Sequence, residues 1–387
     1  MKTFFTLIIL FAAVPVLFCA GQWGITAHVP SSADFDYMGA LGVGWVRIDF
    51  DWSDIESPHK GNYNWAAHDI AVSEAHARGI KVFATISYTP SWARAGGGHN
   101  SPPVNSSDWQ DFVYLCVSRY SYWAKHWGMW NEPNLTEFWS GSAEEYVGKI
   151  LIPGANAVRS ADPSAKVLGP ELSGRDRLYT IDFFSYVMAE AGRYIDIVTQ
   201  HAYGQPSSVF FFLDDIFLPL LLEFAQGKDL WLTETGFRSD VYGEGYQAAV
   251  YREICDGVTE RSYIGKVFFY KLADGAEPEK WGLLTEDYQP KEAFEAYRMK
   301  IHNEPYIGEC FIAGAVFGGD SEELAALYRF RDNFLLSSSP GRAVAQLYYR
   351  AGPYLAAVIS GNGLIRFLAR AHIRCFLALP FFENDVI

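Results

Sequence analysis

The chain has 387 residues, half of them hydrophobic, and a formal net charge of −14 at pH 7. Such a composition supplies a packed interior and argues against an intrinsically disordered chain or a coiled coil. The acidic balance argues against nucleic acid as the main partner, because a phosphate backbone requires a basic surface.

Residues 1–20 have the pattern of a secretory signal peptide. Lys2 precedes an apolar run over residues 4–18, and small residues follow that run. The run is short for a membrane span, so a membrane anchor is the weaker alternative. We expect cleavage near Ala20 or Gly21. The resulting protein would be secreted or held at the cell surface, in an extracellular or periplasmic location.

Between residue 21 and about residue 303, strand-like apolar runs alternate with segments of helical spacing. The predicted strands are 23–29, 44–50, 81–88, 126–131, 166–171, 196–203, 230–235 and 266–272. Strands that alternate with helices pair in parallel, and eight such units over about 250 residues or more predict a closed (β/α)8 TIM barrel. A doubly wound open sheet is the alternative. It would require a glycine-rich turn after the first strand, and "HVPSSADF" contains none.

Four cysteines follow the predicted signal peptide, namely Cys116, Cys255, Cys310 and Cys375. Their spacing fits no zinc-binding pattern and no dense disulfide framework. Cys116 and Cys255 lie in helix-like segments, which predicts buried thiols. The sequence therefore predicts no metal ion and no cofactor.

Two glutamates end predicted strands. Glu132 follows the fourth strand in "WNEPN", and Glu234 ends the seventh strand in "TETGF". Chemistry in a TIM barrel takes place at the C-terminal ends of the strands, so both carboxylates are predicted at one face. By position alone, each could equally well cap or ion-pair with a neighbour.

The motifs "WNEPN" and "TETGF" resemble the two signatures of clan A glycoside hydrolases, which are retaining (β/α)8 enzymes. The stretches "VRIDFDWSDIES", "GNYNW" and "YTPSWA" look most similar to family 39, with family 5 as a near rival. The resemblance covers roughly residues 22–303, within a predicted catalytic domain of residues 21–305.

This resemblance implies a secreted retaining β-glycosidase that acts on a polysaccharide or oligosaccharide. Glu132 would be its acid/base and Glu234 its nucleophile, so Glu132 must begin protonated and Glu234 ionised. A non-catalytic carbohydrate-binding barrel is the alternative, and the presence of both glutamates disfavours it. The sequence predicts neither the sugar nor the oligomeric state.

The same resemblance assigns supporting roles to Arg47 and Asn131. Arg47, predicted at the end of the second strand, would hydrogen-bond Glu234 and hold it ionised, as a buried arginine does on physical grounds alone. The alternative for Arg47 is a structural ion pair with Asp49. Asn131 would bind the sugar 2-hydroxyl, or would otherwise be a turn residue before Pro133.

His201 and Tyr203, in "QHAYG", match a sixth-strand pair in which the tyrosine contacts the nucleophile. The alternative for His201 is a hydrogen-bonded core histidine. His28, at the end of the first predicted strand, is a candidate for binding a distal sugar hydroxyl. Lys271 on the eighth strand would be the Schiff-base lysine of an aldolase-type barrel, a reading that nothing else in the sequence favours.

Tryptophan rings can stack on the C–H groups of pyranose faces. The candidates for such a platform are Trp281, which follows the eighth strand, together with Trp92 and Trp139. Most tryptophans of this chain should nevertheless belong to the core.

Residues 306–387 are predicted to form a small helical module. The segment "CFIAGAVFGG" is similar to the start of the CFI-box, a module appended to diverse bacterial surface or secreted proteins. Arg366, Arg370 and Arg374 repeat every four residues and predict a basic stripe on an amphipathic helix. We expect this helix either to lie on a membrane surface or dock a partner, or to pack on the barrel as a cap.

Overall fold

The computed structural model describes residues 21–303 without a break and, beyond them, residues 312, 316–317, 321–331, 335, 344, 359 and 361–377. The predicted signal peptide and Cys310 lie outside the described residues. Cys116 and Cys255 are buried free thiols, as predicted.

Eight parallel strands form a closed barrel in chain order, and β1 pairs with both β2 and β8. The strands are β1 (Trp23–Thr26), β2 (Trp45–Asp51), β3 (Lys81–Ser87), β4 (Ala124–Met129), β5 (Lys166–Ser173), β6 (Ile197–His201), β7 (Leu230–Thr235) and β8 (Ile264–Tyr270). All eight predicted strands are present, and the pairing of β1 with β8 excludes the open sheet. The prediction of a (β/α)8 TIM barrel is confirmed.

Helices cover the outside of the barrel. They are α1 (Ser32–Leu41), α2 (Trp52–Ile55), α3 (Ala66–Ala77), α4 (Ser106–Tyr120), α5 (Ala143–Glu145), α6 (Ile152–Ala161), α7 (Arg177–Ala191), α8 (Pro206–Phe211), α9 (Leu218–Phe224), α10 (Ser239–Tyr242), α11 (Glu244–Glu260) and α12 (Glu292–Ile301). The capping of α7 shows how the sequence sets a helix start: Asp176 accepts a hydrogen bond from the backbone N–H of Tyr179 at 3.1 Å. Such a side chain satisfies one of the N–H groups that a helix start leaves unpaired.

Alternate residues of β2 face opposite sides of the barrel wall. Val46, Ile48 and Phe50 are fully buried and belong to the large hydrophobic cluster between strands and helices. Trp45 belongs to a separate cluster inside the barrel, and Arg47 also contacts residues inside it. The period of two in a strand therefore turns Trp45 and Arg47 inward and the three residues of the large cluster outward.

Aromatic and aliphatic side chains fill the barrel interior toward the N-terminal ends of the strands. This interior cluster consists of Trp45, Phe83, Leu168, Ile197, Trp231 and Phe268. Gly24 leaves space for it, because a Cβ there would lie 2.5 Å from the ring of Phe268. These side chains thus fill the interior beneath the C-terminal end of the barrel, where the predicted site residues lie.

The described part of the C-terminal region is helical, with α13 (Glu322–Phe330) and α14 (Gly363–Leu377). Arg331, next to α13, forms an ion pair with Glu292 of the barrel helix α12. Arg374 of α14 forms an ion pair of 2.7 Å with Glu323 of α13. These contacts fit the prediction of a helical module; its boundaries at 306 and 387 stay a prediction. Among the described residues, every helix is too short or too polar to cross a membrane.

Candidate active site

A cavity of about 660 Å³ opens at the C-terminal ends of the strands. Among its lining residues are the predicted Glu132 and Glu234, together with Arg47, Asn131 and Tyr203. The position agrees with the general location of active sites in this barrel type.

The loop that carries Glu132 leaves β4 through a strained backbone. Trp130 and Glu132 have φ angles of 84° and 44°, in the left-handed region that residues with a side chain rarely adopt. Asn134 holds the loop in place: its side-chain amide donates to the carbonyl of Ser173 at 2.9 Å and accepts from the N–H of the same residue at 2.9 Å. Two hydrogen bonds to the end of β5 thus support the conformation that turns Glu132 into the cavity.

The carboxylates of Glu132 and Glu234 converge on one point. An oxygen of Glu132, an oxygen of Glu234 and a ring nitrogen of His201 all lie within 4.8 Å of one another. Each glutamate is 8% exposed, which leaves room for a ligand from the cavity side only. Two carboxyl groups are about 5–5.5 Å apart in retaining glycosidases and about 6.5–9.5 Å apart in inverting ones, so this spacing is of the retaining type.

Arg47 connects several of the site residues. Its Nη1 donates to Glu234 Oε1 at 2.9 Å, and its Nη2 donates to the side-chain oxygen of Asn131 at 2.7 Å. A longer contact of 3.4 Å joins it to Asp49, so the implied catalytic contact and the structural ion pair are both present. Arg47 lies in the middle of β2 rather than at its end, because the strand continues to Asp51.

His201 and Tyr203 contact the two glutamates. His201 Nδ1 lies 2.9 Å from Glu132 Oε1 and 3.6 Å from Glu234 Oε2, and Tyr203 donates its hydroxyl to Glu234 Oε2 at 2.5 Å. Burial disfavours a charged His201, but the charge of Glu234 and the hydrogen bond to Glu132 outweigh this and raise its pKa to about 9. The site thus has a hydrogen-bond donor on each oxygen of Glu234 and one partner on Glu132.

Comparison with known proteins agrees with this geometry. Residues 45–212 match the family model described as Glycosyl hydrolases family 39. Over 167 residues the chain is 30% identical to a β-xylosidase of Geobacillus stearothermophilus. The aligned stretch covers 39% of this chain and 32% of the relative. The matched part thus spans about a third of that relative's length.

Two solved structures share the fold of the barrel. A family 39 glycoside hydrolase from Bacteroides cellulosilyticus WH2 has a TM-score of 0.61 and 20% identity, over 72% of this chain and 63% of that one. A monomeric β-xylosidase from Caulobacter crescentus CB15 has the same TM-score and identity, over 72% and 67% of the two chains. Residues 45–212 of the barrel thus resemble family 39 of the glycosyl hydrolases.

Two further predicted residues line the cavity. His28 bonds Asp49 Oδ2 through Nδ1 at 2.7 Å, and this hydrogen bond is the main cause of its raised pKa. The ring of Trp281 lies 5.2 Å from that of Tyr203 and 6.2 Å from that of Tyr270. The loop after β8 therefore brings Trp281 to the site although it lies eleven positions beyond the strand's last residue, Tyr270.

The structure does not bring Trp92 or Trp139 to the cavity. Trp139 is 1% exposed, donates to the carbonyl of Ser142 and packs against Trp130, so it has no free face for a sugar. Trp92 donates to the carbonyl of Glu56 at 2.9 Å and does not line the cavity. Both leave the set of stacking candidates. Lys271 also lies outside the lining, and its ammonium group is paired with Glu277.

Several residues at the site were not predicted from the sequence. Glu171 on β5 is fully buried and contacts Arg47 and Thr85. Asp51 lines the cavity at the end of β2, and burial followed by the charge of Asp49 raises its pKa to about 8. The predicted fifth strand ends on Glu171, and the predicted fourth strand ends one residue before Glu132. The rule that a carboxylate at a strand end is a candidate site residue could therefore have predicted Glu171 as well.

The trio of Glu132, His201 and Glu234 is also close enough to ligate a metal ion. Arg47 already supplies a positive charge to Glu234 at 2.9 Å, and Tyr203 occupies its second oxygen. A cation would have to displace these donors. The arrangement is therefore suited to acid–base and nucleophilic chemistry by the side chains themselves.

Proposed function

We propose that the protein is a secreted retaining β-glycosidase that hydrolyses O-glycosidic bonds of a polysaccharide or oligosaccharide. Glu132 is the acid/base and Glu234 the nucleophile. The observation that carries this proposal is the convergence of their carboxylate oxygens within 4.8 Å, well below the separation of about 6.5–9.5 Å that inverting enzymes need for substrate and attacking water. The match of residues 45–212 to family 39 supports it.

The first half of the reaction forms a glycosyl ester. Glu132 gives its proton to the glycosidic oxygen while the bond between that oxygen and the anomeric carbon breaks. An oxygen of Glu234 forms the new bond to the anomeric carbon. Arg47 and Tyr203 each hold one oxygen of Glu234, so the carboxylate is oriented before the substrate arrives.

The second half returns the enzyme to its starting state. A water molecule gives a proton to the carboxylate of Glu132, and its oxygen attacks the anomeric carbon. The ester bond then breaks, and Glu234 regains its negative charge. Two successive inversions at the anomeric carbon leave the product with the configuration of the substrate.

β-Xylosides are the first substrates to test, because the Geobacillus relative is named a β-xylosidase. β-Glucosides, β-mannosides and the corresponding polysaccharides complete the panel. Proton NMR of the first product distinguishes the mechanisms, since a retaining enzyme releases the β-anomer before mutarotation. Release of the α-anomer would contradict the role of Glu234 as a nucleophile.

The role of Glu132 is tested by Glu132→Gln. We expect hydrolysis of substrates with poor leaving groups to fall by about 10²- to 10⁴-fold, the usual contribution of a general acid–base group. Sugar binding should remain measurable by calorimetry. Glu137→Gln is a matched control, because Glu137 is exposed and pairs with Arg175 at the rim. Unchanged hydrolysis by the Glu132 variant would contradict the assignment, and the absence of hydrolysis by the wild type with intact sugar binding would favour the non-catalytic barrel.

We also propose that residues 1–20 direct secretion and that α14 associates with a membrane surface. Leu364 and Phe367 of α14 are each 68% exposed, on a helix that also carries three arginines. N-terminal sequencing of the exported protein should give a start near residue 21. Sedimentation with vesicles of anionic phospholipid should be reduced by Phe367→Asp and unchanged by Tyr122→Asp, a control at an exposed barrel position. Equal sedimentation of the two variants would contradict the membrane role.

A further inference from the structure

Glu171 lies directly behind the two glutamates that face the cavity. Its carboxylate is completely buried, so it cannot touch a substrate. Both Nε and Nη2 of Arg47 donate to Glu171 Oε2, at 3.0 and 2.8 Å, and the hydroxyl of Thr85 lies 3.1 Å from the same oxygen. These donors are what an ionised carboxylate requires in a water-free interior.

The chain is shaped around this buried carboxylate. A Cβ at Gly128, the first residue of "GMWNEPN", would lie 1.9 Å from Glu171 Oε1. Glu171 itself has a left-handed φ of 51°, and its carbonyl accepts the backbone N–H of Glu132 at 3.0 Å. A glycine and a strained backbone are thus used to place a third carboxylate next to the catalytic pair.

His201 lies between Glu171 and the catalytic pair. Its Nδ1 faces Glu132 and Glu234, while its Nε2 lies 3.9 Å from Glu171 Oε2 and has no hydrogen-bond partner. A separation of 3.9 Å is too long for a hydrogen bond and suits an ion pair. Both ring nitrogens therefore face carboxylates, which favours the doubly protonated ring.

We propose that Glu171 is a permanent counter-ion that keeps His201 protonated and Arg47 in place while the negative charge moves between Glu234 and Glu132. This inference rests on the proposed function, and it makes Glu171 a positioning residue. Before the reaction, Glu171 and Glu234 are anions that balance Arg47 and His201. In the glycosyl ester, Glu234 is neutral and Glu132 has become the second anion. The network therefore holds two negative and two positive charges in both states.

Without Glu171, His201 would have a single negative charge beside it in both states, and Arg47 would keep only that charge and its longer contact with Asp49. His201, whose proton affinity depends on that charge, would then be the group to lose a proton. The titratable and charged groups in contact with some member of this network are Arg47 and Asp49 on β2, Glu132 after β4, Tyr146 after α5, Glu171 on β5, Tyr203 after β6 and Glu234 on β7. Of these, Arg47 and the glutamates are the groups close enough to form ion pairs with Glu171 or His201.

The substitution Glu171→Gln tests the charge with little change in shape. We expect the proton affinity of His201, followed by NMR of the labelled ring, to fall at least about tenfold. Removal of a negative charge disfavours every protonated neighbour, so both limbs of the pH profile of kcat/KM should move to lower pH. Glu171→Asp, which keeps the charge, should keep the profile close to that of the wild type at a reduced kcat.

A purely structural role would lower kcat without moving either limb, and that result would overturn the proposal. Glu56→Gln is the matched control, because Glu56 is equally buried but accepts hydrogen bonds from Trp52 and Gly61 outside the cavity. The wild type is informative by itself: a His201 ring that is neutral at pH 7 would also overturn the proposal. The NMR titration needs no substrate, so a failure of the proposed hydrolase activity is distinguished from a failure of this inference.

Discussion

Two histidines inside the same barrel have pKa values shifted in opposite directions. His126 on β4 stacks on Trp231 at 5.3 Å, toward the end filled by the interior cluster, and burial followed by the charge of Lys266 lowers its pKa to about 4. His201, at the cavity end, lies among three carboxylates, and its pKa is raised to about 9. Burial acts in the same direction on both rings, so the neighbours decide the sign.

This difference shows how the barrel divides its interior. The interior cluster excludes water from the lower half and provides a medium of low dielectric below the charged groups. The ion pairs of Arg47 above it are therefore stronger than they would be in water, and they hold the site residues in one arrangement. One end supplies stability and the other supplies chemistry, a division that substitutions at the two ends can test.

The largest effect is expected at the cavity end, from Glu234→Gln. We expect kcat to fall by on the order of 10⁴-fold or more, as when other enzymes lose a nucleophile, because the amide cannot form the glycosyl ester. The fold should be intact, since Arg47 keeps Glu171 as a partner. Steady-state kinetics and circular dichroism check the two parts, and retained turnover would contradict the assignment.

Arg47→Met should damage chemistry and fold together. It leaves the buried Glu171 without the guanidinium that donates to it, and breaking a buried ion pair typically costs about 3–5 kcal/mol. Urea unfolding measures this loss. Arg119→Met is the control, because the ion pair of Arg119 with Asp69 is solvent-exposed and should contribute about 1 kcal/mol or less. Equal effects of the two variants would mean that the buried network is not stabilising.

Phe268→Ala should damage the fold alone. The ring is fully buried in the interior cluster, and such a deletion costs about 3–5 kcal/mol. The kcat per folded molecule should stay within about twofold of the wild type, because Phe268 does not line the cavity. Tyr122→Ala, at a 76% exposed position, is the stability control. A large fall in kcat of the folded fraction would show that the two ends are coupled.

The smallest effect is expected from His126→Gln. Because the folded-state pKa of His126 is below that of an ordinary histidine, the unfolded chain binds the extra proton more readily. The wild type should therefore lose stability as the pH falls from about 6.5 to about 4. The variant should lack this part of the loss, at most about 3 kcal/mol by pH 4, in unfolding experiments across that range. An unchanged pH dependence, equal to that of the exposed control His76→Gln, would contradict the shift.

Strand positions and the paired glutamates could be predicted from the sequence because both depend on local patterns. Apolar runs between helical segments predicted the eight strands. A carboxylate directly after such a run must lie at the rim of a closed barrel, because the strand ends there. The same pattern was present at Glu171, but only packing shows that its carboxylate points below the cavity and is fully buried.

Tryptophans show the limit most clearly. Trp139 and Trp281 both follow strands in polar loops, yet one ring is buried against Trp130 and the other lines the cavity. The loop after β8 folds back so that Leu283 donates to the carbonyl of Lys271, and this long-range contact carries Trp281 to the site. The residues around Trp139 and Trp281 in the sequence do not determine which of the two rings is exposed to the cavity.

From its sequence alone, this protein was determined to be a TIM barrel with two acids at one rim, because strand period and strand-end chemistry act over a few residues. The spacing of those acids, the buried counter-ion and the opposite behaviour of His126 and His201 were decided by tertiary structure. Electrostatic interactions in a buried site depend on distances between residues far apart in the chain, and only the closed barrel sets those distances.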